Sequence, residues 1–577
     1  MYSNVKSVQL LVKKKKEKGV KNIVISAGTS HDAIIRSIEE DGYFKTFNIV
    51  DERSASFFAL GIIQETSKPV AIICTSGTAT SNYMSGVTEA YKRKLPLIVI
   101  TADKNPYYLN QLEEQMIDQV GLFDTNTKYN NTLPIVRDKK DEWYCQRIIN
   151  EALLELDHHG KGPVHINIPI EEGMFAIDNT FTTETLPKFN LIERIDESTQ
   201  EREWKKKFEL LKGKKVLIIF GQEDYYANKK RESLISSIFD KYNCVFAVDK
   251  LSNLHCRGTL EVTRATKQMA DKGTTNNVIP DVVINLGGNN TLDIKFAARN
   301  NPTTKEAWLV SEEGIVQDFY RKLSTIFECS IDKFLEEMNK YEVEKSNSYF
   351  NDWVAEDEKY KEQPELEYSN LYVVKELMKN IPKESNLNLA NSTTIRIAEY
   401  FDLDSSIPVY CNRGVNGIDG SMSTFIGQSA ISDKLNFLII GDLSFFYDMN
   451  ALWNRYIGKN VRIMLSNNSG ASLFHFNQGL EKFPTLNENV AADHNGIAKG
   501  WVESRGFKYL SASNKKEFDE ALKQFVSEDS EKPIFLEVFT KKEDDAKIQH
   551  EFYDFNIDAK SKVKNEVKGF IKNIIGR

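Results

Sequence analysis

Two stretches in the last third of the chain hold side chains that suit metal binding. Asp442 follows the apolar run "LNFLII" and Gly441, and Asn468 and Gly470 follow the next apolar run, "RIMLS". Both runs are typical of buried strands, and the carboxyl ends of adjacent parallel strands meet at one edge of a sheet. A carboxylate, an amide oxygen and a backbone carbonyl at one point are ligands that suit Mg²⁺ or Ca²⁺.

The residues beside these ligands suit a diphosphate. Gly441 and Gly470 let the backbone approach a ligand closely, and the helix that follows Asp442 adds a favourable dipole. Mg²⁺ with few protein ligands usually bridges phosphate groups. In the alternative interpretation, Asp442 and Ser444 only cap a helix while "NNSG" forms a turn. The two stretches together favour the interpretation as a Mg²⁺–diphosphate site.

The elements that must position these residues are short strands that alternate with helices. Runs rich in Val and Ile, such as "VAIICTSG" and "LPLIVITAD", alternate with helical stretches such as "SASFFALGIIQETS". This alternation predicts an α/β fold with doubly wound parallel sheets. The 577 residues are too many for one hydrophobic core. Polar segments divide them into three predicted domains, at 1–185, 200–345 and 370–577.

Composition argues against two classes of partner. The net charge is −8, whereas nucleic-acid binding needs a concentrated basic face. No apolar run approaches the ~20 residues that span a bilayer, and the first residues place charge after a short apolar patch, the reverse of a secretory signal. The six cysteines show no metal-binding spacing. We therefore expect a cytoplasmic protein without membrane insertion that acts on small molecules.

The "GD" at 441–442 followed by "NN" at 467–468 resembles the signature of enzymes dependent on thiamine diphosphate (ThDP). More narrowly, the chain resembles the MenD family of 2-succinyl-5-enolpyruvyl-6-hydroxy-3-cyclohexene-1-carboxylate (SEPHCHC) synthases. That resemblance implies pyrimidine-binding, central and diphosphate-binding domains in this order, with ThDP and Mg²⁺ as cofactors. It rests on the stretches "VDERSASFFALG", "CTSGTATSNY", "IVITADKNP", "EEQMIDQVGLF", "NSTTIR", "NRGVNGIDGSMST" and "GDLSFFYDMNALW".

The resemblance also implies roles for single residues. Glu52 would be the catalytic residue, whose carboxyl group contacts N1′ of the cofactor's aminopyrimidine, and Ile418 would support the bent cofactor. Local sequence alone leaves Glu52 open as part of a helix start and Ile418 as a core residue. Asp442, Asn468 and the carbonyl of Gly470 would hold Mg²⁺. The complete set expected at the cofactor is Glu52, Thr78, Gly414, Ile418, Gly441, Asp442, Leu443, Ser444, Asn468, Gly470 and Leu473.

A substrate pocket follows from the same resemblance, with departures from the family pattern. Ser30 stands where the family has an arginine, Lys104 replaces another arginine, and only Lys295 stands for a Lys-Arg pair in the central domain. Loss of the guanidinium fork weakens carboxylate binding. His31 is either a surface turn residue or a new acid–base group. The expected substrate residues are Thr29, Ser30, His31, Lys104, Gln115, Asn391, Ser392, Arg396, Arg413 and Phe474.

Three functions remain to be distinguished. The first is SEPHCHC synthesis in menaquinone biosynthesis, where 2-oxoglutarate is decarboxylated and joined to isochorismate. The second is a related carboligase with another donor or acceptor, for example acyl transfer to a keto sugar in polysaccharide biosynthesis. The third, a degenerate binding or regulatory subunit, conflicts with the retained Glu52, Asp442, Asn468 and Ile418. The resemblance implies a homo-oligomer, at least a dimer, with active sites at the subunit interface.

Overall fold

Strands and helices alternate along the chain in a computed structural model that describes residues 1–170, 181–272, 277–476 and 480–556. Two compact units are present: residues 1–195 with 314–326, and residues 196–313 with 327–577. Three parallel sheets confirm the predicted α/β fold class. The domain limits 1–185, 200–345 and 370–577 stay predictions, and residues 557–577 lie outside the described residues.

The first unit is built on a six-stranded parallel sheet with the order β2-β1-β3-β4-β6-β5. Its strands are β1 Asn22–Ile25, β2 Lys45–Asn48, β3 Val70–Cys74, β4 Leu97–Asp103, β5 Tyr129–Thr132 and β6 Val164–Pro169. Its helices are α1 Lys6–Glu17, α2 Asp32–Asp41, α3 Glu52–Thr66, α4 Thr78–Asn82, α5 Met84–Lys92 and α6 Lys139–Glu155, with 3-10 turns at Pro106–Tyr108 and Asp124–Asn126.

Apolar side chains cover both faces of this sheet, as a parallel sheet between two helical layers requires. Successive side chains of a strand point to opposite faces. Ile23 and Ile25 of β1 therefore join the core cluster that includes α1, α2 and α6, while Val24 joins the cluster that includes α3 and α5. The predicted site residues of this unit follow the strands and belong to neither core cluster.

The second unit begins with a sheet whose strands run in the order β10-β9-β8-β11-β12. These strands are β8 Val216–Phe220, β9 Cys244–Val248, β10 Thr259–Glu261, β11 Val282–Leu286 and β12 Glu306–Val310. Strands β7 Glu193–Asp196 and β13 Leu323–Glu328 each contain residues of both units. The helices are α7 Glu201–Glu209, α8 Tyr225–Phe239, α9 Thr263–Lys272, α10 Ile294–Asn300, α11 Ile331–Asn339 and α12 Ser348–Glu358, with a 3-10 turn at Lys250–Ser252.

A third sheet, in the same unit, has the order β15-β14-β16-β17-β19-β18. Its strands are β14 Asn386–Leu389, β15 Val409–Tyr410, β16 Asn436–Gly441, β17 Val461–Asn467, β18 Lys508–Ala512 and β19 Ile534–Phe539. Its helices are α13 Asn370–Asn380, α14 Thr393–Ala398, α15 Ser421–Ser429, α16 Asp442–Tyr447, α17 Ser472–Phe476, α18 Lys499–Ser504, α19 Lys515–Phe525 and α20 Lys542–Asp554, with 3-10 turns at Met449–Leu452 and Leu480–Lys482 and a π-helix at Leu486–Val490.

The strand order of the third sheet reverses between β14 and β16. The chain runs from β14 outward to β15, then returns to β16 on the other side of β14. Ligands of open parallel sheets bind at such a switch point, beyond the carboxyl ends of the strands. Asn391 follows β14 and Asp442 follows β16, so the fold places both at the expected position.

A search of the described residues finds no helix with the length and apolar character needed to cross a membrane.

Candidate active site

A cavity of about 190 Å³ opens at the switch point of the third sheet. The parallel pairing of Gly441 with Ser466 brings the ends of β16 and β17 side by side there. Ten predicted site residues line this cavity: Asn391, Ser392, Ile418, Gly441, Asp442, Leu443, Ser444, Asn468, Gly470 and Phe474. The cavity thus brings the predicted metal ligands together with part of the predicted substrate set.

The carboxylate of Asp442 organises the loop that follows β17. Asp442 is buried at the start of α16, and its Oδ1 accepts the backbone N–H of Leu443 at 2.7 Å. Its Oδ2 accepts the backbone N–H groups of Asn468 at 3.1 Å and of Gly470 at 3.0 Å. These three hydrogen bonds fix the position of the Asp442 carboxylate beside the cavity.

Gly470 can be replaced by no other residue without strain. Its φ is +142°, and a Cβ atom at this position would lie 2.7 Å from the carbonyl oxygen of Ala491. In contrast, a Cβ atom on Gly441 would meet nothing within 4 Å. The backbone conformation therefore requires a glycine at position 470. Beside Gly441, in contrast, there is open space for a ligand.

The segment that follows β15 is tied to the start of α16. Ser444 Oγ donates to the carbonyl of Ile418 at 2.5 Å, which fixes the half-buried Ile418 at the cavity wall. Gly414 is exposed, and its carbonyl accepts a hydrogen bond from Asn289. Leu473 lies on α17 next to Phe474, but only Phe474 is among the residues that line the cavity.

His494 is a neighbour of Asp442 that the sequence did not reveal. Its Nε2 lies 3.3 Å from Asp442 Oδ2, while its Nδ1 accepts the backbone N–H of Gly496 at 3.0 Å. In the neutral ring the proton therefore resides on Nε2, toward the carboxylate. The Asp442 carboxylate raises the pKa of His494 above its ordinary value.

Three cationic side chains of the second unit lie near the cavity. Arg413 is buried and donates from Nη1 to Asn391 Oδ1 at 3.0 Å. Burial, and then the charge of Arg413, lowers the pKa values of both Arg396 and Lys295. Arg396 Nη1 donates to the carbonyl of Ser392 at 2.7 Å, and Ser392 and Asn391 both line the cavity. A cluster of this kind suits an anionic ligand.

Two loops of the sheet formed by β8 to β12, the central sheet, hold the backbone next to Arg413. Asn289 Nδ2 donates to the carbonyls of Arg413 at 2.8 Å and Gly414 at 3.0 Å. Gln222 Nε2 donates to the carbonyl of Cys411 at 2.8 Å. The central sheet therefore positions the third sheet's arginine, besides contributing Lys295.

Glu52 and Thr78 start two helices of the first unit. Glu52, half-buried, begins α3, and Asp51 caps this helix by accepting the N–H of Ser54. Asn82 at the end of α4 donates a hydrogen bond to Glu52. Thr78 is exposed and begins α4 directly after Gly77, whose φ is +82°. Asp51 therefore caps α3, and the Glu52 carboxylate bonds to Asn82.

The turn after β1 holds the next three predicted residues. Thr29 is exposed, whereas Ser30 Oγ lies 3.1 Å from Ser76 Oγ. His31 is fully buried, not the surface residue of one interpretation, and neither ring nitrogen has a hydrogen-bond partner among the described residues. Burial lowers the pKa of His31 to about 4. His31 is therefore neutral near pH 7.

Lys104 and Gln115 lie close together in the loop region after β4. Lys104 Nζ donates to Glu113 Oε1 at 2.6 Å and to the carbonyl of Glu114 at 2.5 Å. Gln115, with φ +54°, donates to the carbonyl of Ser76 at 3.3 Å. The Lys104 charge is thus paired within this unit.

Comparison with known proteins identifies the family. A family model described as "Thiamine pyrophosphate enzyme, N-terminal TPP binding domain" matches residues 5–122. SEPHCHC synthases of Phocaeicola vulgatus and Bacteroides thetaiotaomicron are each 38% identical over 563 residues, which is 96% of this chain and 99% of each relative. The chain belongs to the SEPHCHC synthase family. The relative from Flavobacterium johnsoniae is 31% identical over 546 residues, 94% of this chain and 97% of its own length.

Membership in the SEPHCHC synthase family makes the chain an enzyme that uses ThDP and a divalent cation. The residues at the cavity fit both groups. The cavity is lined by Asp442, Asn468 and Gly470, which have carboxylate, amide and backbone carbonyl oxygens, all hard donors. Ser466 Oγ, also at the cavity, is buried and has no hydrogen-bond partner among the described residues. A buried hydroxyl without a partner is typical of a site that a ligand completes.

Sequence reasoning missed Ser466, His494 and Asp545, each of which contacts or lies beside a predicted ligand. Ser466 could have been found from the sequence, since it directly precedes the "NN" and follows the apolar run "RIML". For His494 and Asp545 no local pattern exists, because each approaches its partner from a distant part of the chain.

Proposed function

We propose that this chain is a SEPHCHC synthase, which decarboxylates 2-oxoglutarate and joins the remaining unit to isochorismate. The observation that carries the proposal is that Arg413 and Arg396 donate to Asn391 and Ser392 on the wall of the cavity. The same cavity is lined by Asp442 and Asn468. Both substrates carry carboxylates, and clustered cations are the usual means of binding planar anions. The family's relatives carry the corresponding name.

In the proposed site, Asp442, Asn468 Oδ1 and the carbonyl of Gly470 would hold Mg²⁺, which would neutralise the charge of the diphosphate. When bound, ThDP supplies the electron sink that permits loss of CO₂ from a 2-oxo acid. Ile418 and Leu473 are proposed to support the cofactor from the side. The remaining proposed contacts to the cofactor are Thr78, Gly414, Gly441, Leu443 and Ser444.

Glu52 is proposed as the carboxyl group that contacts N1′ of the aminopyrimidine and holds or releases a proton there. Glu52 is the first residue of α3, and the hydrogen bond from Asn82 fixes the direction of its carboxylate. A positioned acid of this type contributes ~10²–10⁴-fold to the rate.

Substrate binding is assigned to two groups of residues. Arg396 and Arg413, with Lys295, are proposed to bind carboxylates, and Asn391 fixes the guanidinium of Arg413. The other proposed substrate contacts are Thr29, Ser30, His31, Lys104, Gln115, Ser392 and Phe474. His31 is proposed to act as a neutral side chain, because burial keeps it uncharged.

Assembly and location complete the proposal. We infer a cytoplasmic homo-oligomer, at least a dimer, with active sites at the subunit interface and small-molecule substrates as its other partners. Size-exclusion chromatography with light scattering, repeated with a subunit-mixing assay of inactive Glu52 and Asp442 variants, tests this. Recovery of activity on mixing supports shared sites, and a monomer that is active contradicts them.

The function is tested with purified protein, ThDP and Mg²⁺. We expect CO₂ release from 2-oxoglutarate to be coupled to isochorismate consumption, with Glu52→Gln as the inactive control. If isochorismate changes neither the rate nor the product while another 2-oxo acid is turned over, the chain is a related carboligase with a different acceptor, and the proposal is wrong.

A further inference from the structure

A buried carboxylate from α20 contacts the proposed metal ligand Asn468. Asn468 Nδ2 donates to Asp545 Oδ2 at 2.8 Å, and the exposed fraction of the two residues is 7% and 0%. Asp545 lies in the first turn of α20, 77 positions along the chain from its partner. This contact therefore joins the metal-binding loop to a separate element.

The direction of this hydrogen bond decides which end of the amide faces the cavity. A carboxylate accepts only, so the amide nitrogen of Asn468 must face Asp545. The oxygen, Oδ1, is then the end that remains for a cation, and Asn468 lines the cavity. With the amide reversed, an NH₂ group would face the cation and repel it.

The carboxylate of Asp545 is itself held by donors on both oxygens. Its Oδ1 accepts the backbone N–H of Asn370 at 2.8 Å, and its Oδ2 also accepts the hydroxyl of Thr540 at 2.7 Å. These three donors, Asn468 Nδ2 included, fix the position of the carboxylate. Asn370 lines the same cavity as Asn468.

We propose that Asp545 is a positioning residue of the metal site, which holds the Asn468 amide so that Oδ1 is presented to the divalent cation. The inference rests on the proposed ligand set Asp442, Asn468 and Gly470. Partners that orient metal ligands in this way typically contribute ~10–100-fold to metal affinity.

The variant Asp545→Asn tests the proposal because it keeps the shape and removes one acceptor. An asparagine at position 545 has one acceptor oxygen, which cannot bond to both Asn370 N–H and Asn468 Nδ2. Its own NH₂ group therefore faces one of these two donors. We expect the dissociation constant for Mg²⁺, measured at saturating ThDP, to rise ~10–100-fold. Calorimetric titration of Mg²⁺ into the full chain with saturating ThDP measures this without turnover.

Thr540→Val is the matched control. It removes another donor to the same oxygen, Asp545 Oδ2, without touching Asn468. We expect a lowered thermal midpoint for the metal-free protein and a Mg²⁺ affinity within about threefold of wild type, well below the effect of a lost orienting partner. An equal loss of Mg²⁺ affinity in both variants would mean that Asp545 has only a structural role.

A double variant separates an effect through Asn468 from any other effect. If Asp545 acts through the amide, then Asn468→Ala with Asp545→Asn binds Mg²⁺ no more weakly than Asn468→Ala alone. Additive losses overturn the proposal. Asp545→Ser serves if Asp545→Asn does not fold, with the same expected shift. A wild-type protein that binds ThDP without Mg²⁺ would instead contradict the proposed metal site itself.

Discussion

Asn82 Nδ2 lies 3.0 Å from Glu52 Oε2, so the last residue of α4 holds the carboxylate at the first residue of α3. The bond fixes the direction of the side chain without adding a charge. The proposed catalytic carboxyl group is therefore positioned by a neutral donor, and the two residues have separable roles.

Replacing Glu52 by Gln should abolish most turnover and leave cofactor binding intact. Gln keeps the size and one acceptor but cannot exchange a proton, so we expect a ~10²–10⁴-fold lower kcat. Asn82→Ala, which removes only the orienting donor, should lower kcat much less. CO₂ release and calorimetric ThDP binding measure the two effects. A Glu52→Gln enzyme with more than a tenth of wild-type kcat would contradict the assignment.

Gly470→Ala should destabilise the fold and weaken Mg²⁺-dependent ThDP binding. The backbone φ of +142° and the 2.7 Å approach to the Ala491 carbonyl leave no room for a methyl group. Strain of this kind costs about 1–3 kcal/mol. Thermal unfolding of the metal-free chain and a Mg²⁺ titration report the two losses.

Gly427→Ala is the control for this experiment. It lies inside α15, where a Cβ atom meets nothing within 4 Å. A helix-interior alanine is favoured over glycine by roughly 0.5–1 kcal/mol, so this variant should be as stable as wild type or more so. Similar behaviour of the two variants would show that the loop at Gly470 tolerates a side chain.

Arg413→Lys should raise KM for the anionic substrates. Arg413 is anchored on Asn391 Oδ1 through Nη1, and its buried Nε has no hydrogen-bond partner among the described residues. Lysine keeps the charge but loses the planar fork. A loss of about 2 kcal/mol corresponds to a KM increase of ~30-fold. Arg455→Lys, at an exposed arginine, should leave KM unchanged.

Acid stability should depend on His31. Its folded pKa of about 4 lies below the ordinary value of 6.5, so the unfolded chain binds the proton more readily. The stability contributed by the neutral ring is complete above about pH 6.5 and is lost as the pH falls toward 4, by about 3 kcal/mol in total.

His31→Leu should therefore flatten the decline of unfolding free energy between pH 6.5 and 4, whatever its effect at pH 7. Urea titrations across this range measure the slope. His159→Asn is the control, because His159 is exposed and its φ of +52° suits asparagine. An unchanged slope in His31→Leu would show that His31 is not buried as described.

Much of the fold was predictable because buried parallel strands are continuous apolar runs. The runs around β3, β4, β16 and β17 were identified in this way, and the strand ends then indicated Asp442 and Asn468. β5 "YNNT" was missed, since it is only partly buried and carries polar residues. Its strand character comes from pairing with β6 and not from local sequence.

The partners of the site were harder to predict than its ligands. Asp442 is identifiable because a carboxylate directly after an apolar strand has a fixed place in the fold. His494 and Asp545 are recognisable as neighbours of the site only in the folded chain. His494 Nε2 lies 3.3 Å from Asp442 Oδ2, and Asp545 Oδ2 accepts from Asn468 Nδ2 at 2.8 Å. The burial of His31 could not be predicted from the sequence either, since it depends on how the turn after β1 packs.

The hydrogen bonds from the central sheet to the segment around Arg413 limit how this enzyme can be recombined. Asn289 and Gln222 support the carbonyls of Arg413, Gly414 and Cys411. A chimera that exchanges the central sheet for that of a relative would also exchange the supports of its anion site. Successful crossovers should therefore keep the loops after β8 and β11 and the stretch 409–414 from one parent.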